Sequence, residues 1–186
     1  QVQTKASDTG IRNYTAEAFD DAGSSFDLAA EISRNFDMVD TMAIYSAALC
    51  YEKAGMNNLA ISRYKECAEI QYNLPNSYLQ ISMIYISIGE MDNALNILKE
   101  AREKYPQEMS YITEEYNIHI RNEDQENALS CIIDVTNRDT TNYQYIVLSG
   151  NIYQNLKLED EAQLAFERAL RLDSLKFGAN YGLGVL

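Results

Sequence analysis

Small and large apolar residues recur along the chain at fixed offsets. Ala60, Ala94, Ala128 and Ala162 are separated by one constant interval. Each is followed four residues later by a large side chain, Tyr64, Leu98, Ile132 or Phe166, and three residues after that by Cys67, Ala101, Val135 or Ala169. Steps of four and three stay on one face of an α-helix. A second column runs ahead of the first. Ile44, Tyr78, Ile112 and Ile146 precede the alanines by sixteen residues, and Tyr51, Tyr85, His119 and Tyr153 precede them by nine. Each period therefore holds two amphipathic helices. The polar joins KAGMNN, SIGEMDN, RNEDQEN and NLKLEDE are too short for anything but antiparallel hairpins, and Gly55 and Gly89 are placed to end the first helix of their pairs. The pattern predicts first helices from about 41, 75, 109 and 143, and second helices from about 58, 92, 126 and 160.

Ala60 and its equivalents face Ala48, Ser82 and Gly150 where the two helices cross, and small residues on both sides let the backbones approach. One such pair cannot bury its apolar faces alone, so the pairs must stack. Residues 109–142 diverge: Tyr116 takes a small position, Glu115 an apolar one and His119 a tyrosine position, which predicts an altered helix crossing there. His119, the chain's single histidine, reads as a core residue because its column serves packing in the other periods.

Near the start, Ala22, Phe26 and Ala29 repeat the second-helix spacing, so residues 15–40 read as the second helix of a degenerate first repeat and its connection. The step from Ala22 to Ala60 exceeds the period by four, and the surplus is expected in the connection NFDMVDT. Residues 1–14 read as a polar leader with the composition of a disordered segment. At the other end, Leu183 and Gly184 in FGANYGLGVL stand where the first helix of a further, truncated repeat would have them, apolar on its uncovered side.

The segments DTMAIYSAALCYEKAGMNNLAISRYKECAEI and NSYLQISMIYISIGEMDNALNILKEAREKYP, with Pro106 where the family's proline falls, resemble the tetratricopeptide repeat, whose period is about 34 residues. The resemblance covers 41–74, 75–108, the divergent 109–142, 143–176 and the partial unit 177–186. It implies an all-α protein, a right-handed α-solenoid of stacked antiparallel helix pairs with a concave inner wall. The abundance of Tyr, Asn and Ile resembles the bacterial, Bacteroidetes-like type. That likeness favours export to the periplasm over the cytoplasm, which unpaired cysteines would suit.

Composition narrows the chemistry. With 186 residues, 46% hydrophobic and 23% charged, the chain can bury a core without disulfides or metal. Its net charge of -13 and pI near 4.4 repel nucleic acid and anionic lipid. No apolar run is long enough to span a membrane. Cys50, Cys67 and Cys131 follow neither a disulfide framework nor a zinc spacing and read as reduced core residues. Asp8-Thr9-Gly10 matches an aspartic-protease triplet but has no second copy to make the pair of carboxylates, and GLG at 182–184 lacks the third glycine of a dinucleotide site. No catalytic residue, metal ligand or cofactor is therefore expected.

Binding remains. The resemblance places the inner wall on the first helices, at Met42, Tyr45, Leu49, Asn76, Leu79, Met83, Ser110, Thr113, Asn117, Gln144, Val147 and Asn151. The wall is apolar first and amide-rich later. It lacks the lysines and arginines with which some family members hold a terminal carboxylate. The expectation is a non-catalytic scaffold or adaptor for a peptide or protein segment. Two other readings are the interaction arm of a larger enzyme or sensor, and a structural subunit that self-associates through its C-terminal helix.

Overall fold

A computed structural model describes residues 2–172 and 177–185. Among them there is no strand, and the elements are α1 (Val2–Thr15), α2 (Phe19–Arg34), α3 (Thr41–Lys53), α4 (Asn57–Glu69), α5 (Asn76–Ser87), α6 (Met91–Lys104), α7 (Met109–Arg121), α8 (Gln125–Arg138), α9 (Tyr143–Asn155), α10 (Glu159–Leu172) and α11 (Phe177–Val185). The helices from α3 to α10 all begin within one residue of the starts that the periodicity predicts. The fold class is the expected one, an all-α solenoid of antiparallel helix pairs.

The chain divides into two compact units, Gln1–Glu100 and Ala101–Leu186. In the first, α1 packs on α2, α2 on α3, α3 on α4 and α4 on α5. Its core includes Ala6, Ala29, Ala30, Ala43, Ile44 and Cys67, with Tyr45, Ile70 and Tyr72 packed against it. In the second, α7 packs on α8, α8 on α9, α9 on α10, and α11 on both α10 and α9. Phe166 of α10, fully buried, lies against Gly150 of α9 and Gly182 of α11, where a β-carbon would come within 2.5 Å and 2.4 Å of the ring.

First helices end alike. Glu17, Gly55, Gly89, Glu123 and Lys157 all take left-handed backbone, φ between 58° and 81°. The N–H of the residue after each donates to a carbonyl five residues back, Ala18 to Asn13, Met56 to Tyr51, Glu90 to Tyr85, Asp124 to His119 and Leu158 to Tyr153, all at 2.8–2.9 Å. This closure satisfies carbonyls that the last turn would leave open and reverses the chain within a few residues. Gly55 and Gly89 adopt the conformation without strain.

Two expectations about the start of the chain are overturned. Over its described residues, 2–14, the leader is not disordered but forms most of α1, which packs on α2. Ala6, Gly10 and Asn13 occupy the columns of Ile44, Ala48 and Tyr51, so the helix carries the repeat's spacing with small and polar residues in its large positions. Gly10 lies against the ring of Phe26, sixteen positions on, as Gly150 lies against Phe166. The surplus of four residues is not in the connection either. The connections 35–40 and 70–75 are equal, whereas α2, with 16 residues against 13 in α4, holds three of the four, and α3, with 13 against 12 in α5, holds the fourth. Four residues add about one turn and leave a helix face nearly unrotated. So α2 serves two registers: Ala22, Phe26 and Ala29 match the spacing set by α1, while Ala30 and Ser33 stand one full period before Tyr64 and Cys67. All five are buried.

Candidate interaction surface

The residues expected on the wall fall on α3 and α5 in the first unit and on α7 and α9 in the second. On α3 and α5, Met42 and Met83 project into solvent, 69% and 53% exposed. Asn76 is also exposed and donates through Nδ2 to Asn73 Oδ1 at 3.1 Å. Leu49 and Leu79 are half-buried. Tyr45 is less available than its column suggests. Its ring meets Tyr64 at 5.8 Å and Tyr72 at 5.9 Å, both edge-to-face, and burial pushes its hydroxyl above the usual tyrosine range. It acts more as a wedge in the core than as a free contact.

The structure adds a helix to this wall. Ile11 and Tyr14 of α1 are exposed and, with Leu49 and Cys50 of α3 and Phe26 of α2, line an apolar pocket of about 220 Å³. Ile11 follows Gly10 as Leu49 follows Ala48, so it shares the repeat column of that expected lining residue. The one signal that could have revealed it is the spacing of Gly10 and Phe26, which equals that of Gly150 and Phe166. Alanine and asparagine in the other columns of α1 hid the helix.

In the second unit, Thr113 donates from its hydroxyl to Met109 O at 3.0 Å and lies 3.5 Å from the Tyr145 hydroxyl. Asn117 donates to Glu114 at 3.1 Å. Gln144 and Asn151 are exposed, and Ser110 is half-buried. Val147 belongs to a cluster with Phe166, Ala179 and Leu183, and its Cγ1 is 3.3 Å from where a β-carbon on Gly178 would be. The peptide N–H of Ala179 donates to the Tyr143 hydroxyl at 3.0 Å. Helix α11 thus covers the start of α9, including Val147.

The divergent repeat has its own chemistry. Glu115, 6% exposed, accepts from Arg102, which also bonds Asp134 at 2.7 Å, and the Cys131 thiol lies 3.9 Å from its Oε2. Burial raises the Glu115 carboxyl above its usual range despite the facing guanidinium. Its Oε1 is buried without a hydrogen-bond partner. His119 lies at the edge of the core, its side chain 16% exposed, and its Nδ1 sits 3.1 Å from Asp124, the carboxylate that caps α8. Cys50, Cys67 and Cys131 are free and buried, their thiols pushed up to about 11, 12 and 11, chiefly by burial. Among the described residues, no cluster of His, Cys, Asp and Glu has the makings of a metal site, and no helix is long and apolar enough to cross a membrane.

Residues 76–108 and 143–174 each match a model of the tetratricopeptide repeat. Tetratricopeptide repeat protein 8 of Homo sapiens is 23% identical over 127 residues, 68% of this chain and 23% of that protein, so the chain spans less than a quarter of that relative. The crystal structure of MamA superposes with a TM-score of 0.61 at 17% identity, covering 93% of this chain and 92% of the other. YrrB, described as a TPR protein with an unusual peptide-binding site, gives 0.56 at 14% identity over 96% and 90%. A tetratricopeptide repeat protein from Parabacteroides merdae gives 0.59 at 14% over 78% and 58%. At such identities the likeness is one of fold. The repeat columns, the paired helices and these matches together make the chain a tetratricopeptide-repeat protein. Its fold is that of a protein-protein interaction module.

Proposed function

We propose that the protein is a non-catalytic scaffold that holds an apolar peptide or protein segment along its first helices. The observation that supports this is the wall of the first unit, where the large apolar residues Ile11, Met42 and Met83 stay exposed at the expected lining positions. Methionines suit such a surface because their side chains re-pack around different partners. YrrB is similar in fold and is described as peptide-binding.

A photo-crosslinking residue at Met42 or Met83 is expected to capture a partner segment that the same residue at Leu59, exposed on the second helix α4, does not. With the captured segment in hand, Met42→Glu and Met83→Glu together should weaken binding at least tenfold, because placing charge on apolar anchors costs more than the roughly 1.4 kcal/mol that a factor of ten represents. Unchanged affinity would remove the wall as the working surface.

A second reading is self-association. The C-terminal α11 offers one route, and the connection 35–40 offers another, since Phe36, Met38 and Val39 are all exposed large apolar residues. Light scattering across a concentration series tests it. A mass that stays at that of one chain rejects it. The reading as an arm of a larger protein fits the human relative, of which the match covers 23%.

A further inference from the structure

We infer that the pocket between α1 and α3 is an anchor site for an aromatic side chain carrying a carboxylate beside it, as an aromatic residue next to an acidic one in a bound segment would. This rests on the scaffold reading and deepens it. Three features carry it.

The first is size. At about 220 Å³ the pocket exceeds the roughly 150 Å³ apolar cavity that holds a benzene molecule, so a six-membered ring fits with room for its linking carbon. The second is lining. Ile11, Leu49 and Phe26 give apolar walls, the Tyr14 ring gives an aromatic edge, and the only polar groups are hydroxyls and the Cys50 thiol. That thiol is neutral at physiological pH, because burial pushes it up to about 11. Nothing charged lines the pocket, so the buried part of the occupant is uncharged. An aromatic ring gains edge or stacking contacts with Tyr14 and Phe26 that an aliphatic chain lacks.

The third feature is charge at the mouth. Lys53, one turn beyond Leu49 on α3, holds its ammonium 6.0 Å from the centre of the Tyr14 ring and 5.5 Å from that of Phe19. Among the described residues no carboxylate is ion-paired with it. In a chain of net charge -13, whose long-range field favours cations, this cation sits beside the one ring that the pocket shares with solvent. Close charges outweigh distant ones once salt screens beyond about 10 Å. The local preference is therefore for an anion, opposite to the preference of the whole surface.

Two fragments separate these effects in the intact chain: 3-phenylpropionate and phenethylamine, which present the same ring with opposite charge. With isoleucine and leucine methyl groups labelled for NMR, 3-phenylpropionate should shift the Ile11 and Leu49 methyls at millimolar concentrations and bind several-fold more tightly than phenethylamine. Lys53→Met, at an exposed position that the fold does not need, should erase that preference while both fragments still bind. Leu49→Trp, checked by circular dichroism for an intact fold, should block both. Absent shifts at Ile11 and Leu49, or tighter binding of the cation, would overturn the proposal. So would an unchanged preference in Lys53→Met. If the fragments fail while crosslinking from Met42 and Met83 succeeds, the pocket is not the anchor and the scaffold reading stands.

Discussion

Glu123 and Lys157 hold the left-handed position that Gly55 and Gly89 hold in the preceding repeats, at φ 58° and 60° against 72° and 81°. For a residue with a β-carbon this conformation costs about 1–2 kcal/mol, whereas a glycine there costs only its extra freedom in the unfolded chain, about 0.5–1 kcal/mol. Glu123→Gly and Lys157→Gly should each therefore stabilise the protein by roughly 0.5–1 kcal/mol. The reverse change, Gly89→Ala, should cost about 1 kcal/mol from the backbone alone, because a β-carbon on Gly89 would meet nothing within 4 Å.

The two stabilising changes carry opposite charges, and that guards the inference. If net repulsion in a chain of charge -13 governed stability, removing Glu123 would help and removing Lys157 would harm. If the backbone governs, both help. Urea denaturation followed by circular dichroism reads the difference as a shift of midpoint at constant slope. Each kcal/mol corresponds to about 2–4 °C in the thermal midpoint of a chain of this size. Destabilisation by Lys157→Gly, or no effect of Gly89→Ala, would refute the reasoning.

Further perturbations test the packing and the buried charges. Gly150→Ala pushes a β-carbon to within 2.5 Å of the Phe166 ring and should destabilise by about 1–3 kcal/mol; Gly150→Ala combined with Phe166→Leu should recover part of that loss, as a double-mutant cycle in urea will show. Arg102→Met leaves Glu115 buried without its guanidinium and should cost about 3 kcal/mol at pH 7, but much less near pH 4, where the carboxyl is protonated. Glu115→Gln should cost little, since Arg102 keeps Asp134. The raised Glu115 value means that the native state keeps its proton above the ordinary carboxylate range, so its contribution is full below that range and is lost as pH rises through the raised value. Glu115→Gln should flatten that part of the stability profile, and an unchanged profile would contradict it. Cys50, Cys67 and Cys131 should react slowly with an aromatic disulfide reagent at pH 8 and all together on unfolding.

The helices from α3 to α10 were legible because their columns are read in residue types that differ sharply from their neighbours. An alanine followed by a large apolar side chain four residues on survives drift at the remaining positions. Helix α1 was not legible because its columns hold Ala6, Gly10 and Asn13, none of which announces a buried face; what makes that face apolar is Phe26, on the next helix. The added turn in α2 was misplaced for a related reason. Inserting about one helical turn preserves amphipathicity, so the pattern looks the same on both sides of the insertion and the surplus is pushed by default into the connection.

The wall was only half legible, because a column fixes which side of a helix a residue occupies but not what else comes to that side. Tyr45 and Val147 stand in the columns expected to line the wall, as Met42 does. Yet Tyr64 and Tyr72 pack on the first, and α11 comes down beside the second. The same limit explains Glu115. Its apolar column predicted a departure in the divergent repeat, but its partner Arg102 lies on α6 and is itself held by Asp134 of α8, and only their meeting turns an apparent defect into a paired, buried carboxylate. For an acceptor with one oxygen tied and the other unpartnered, the arrangement is stable only while the guanidinium stays in place. That dependence makes Arg102, not Glu115, the residue whose loss the repeat should feel most.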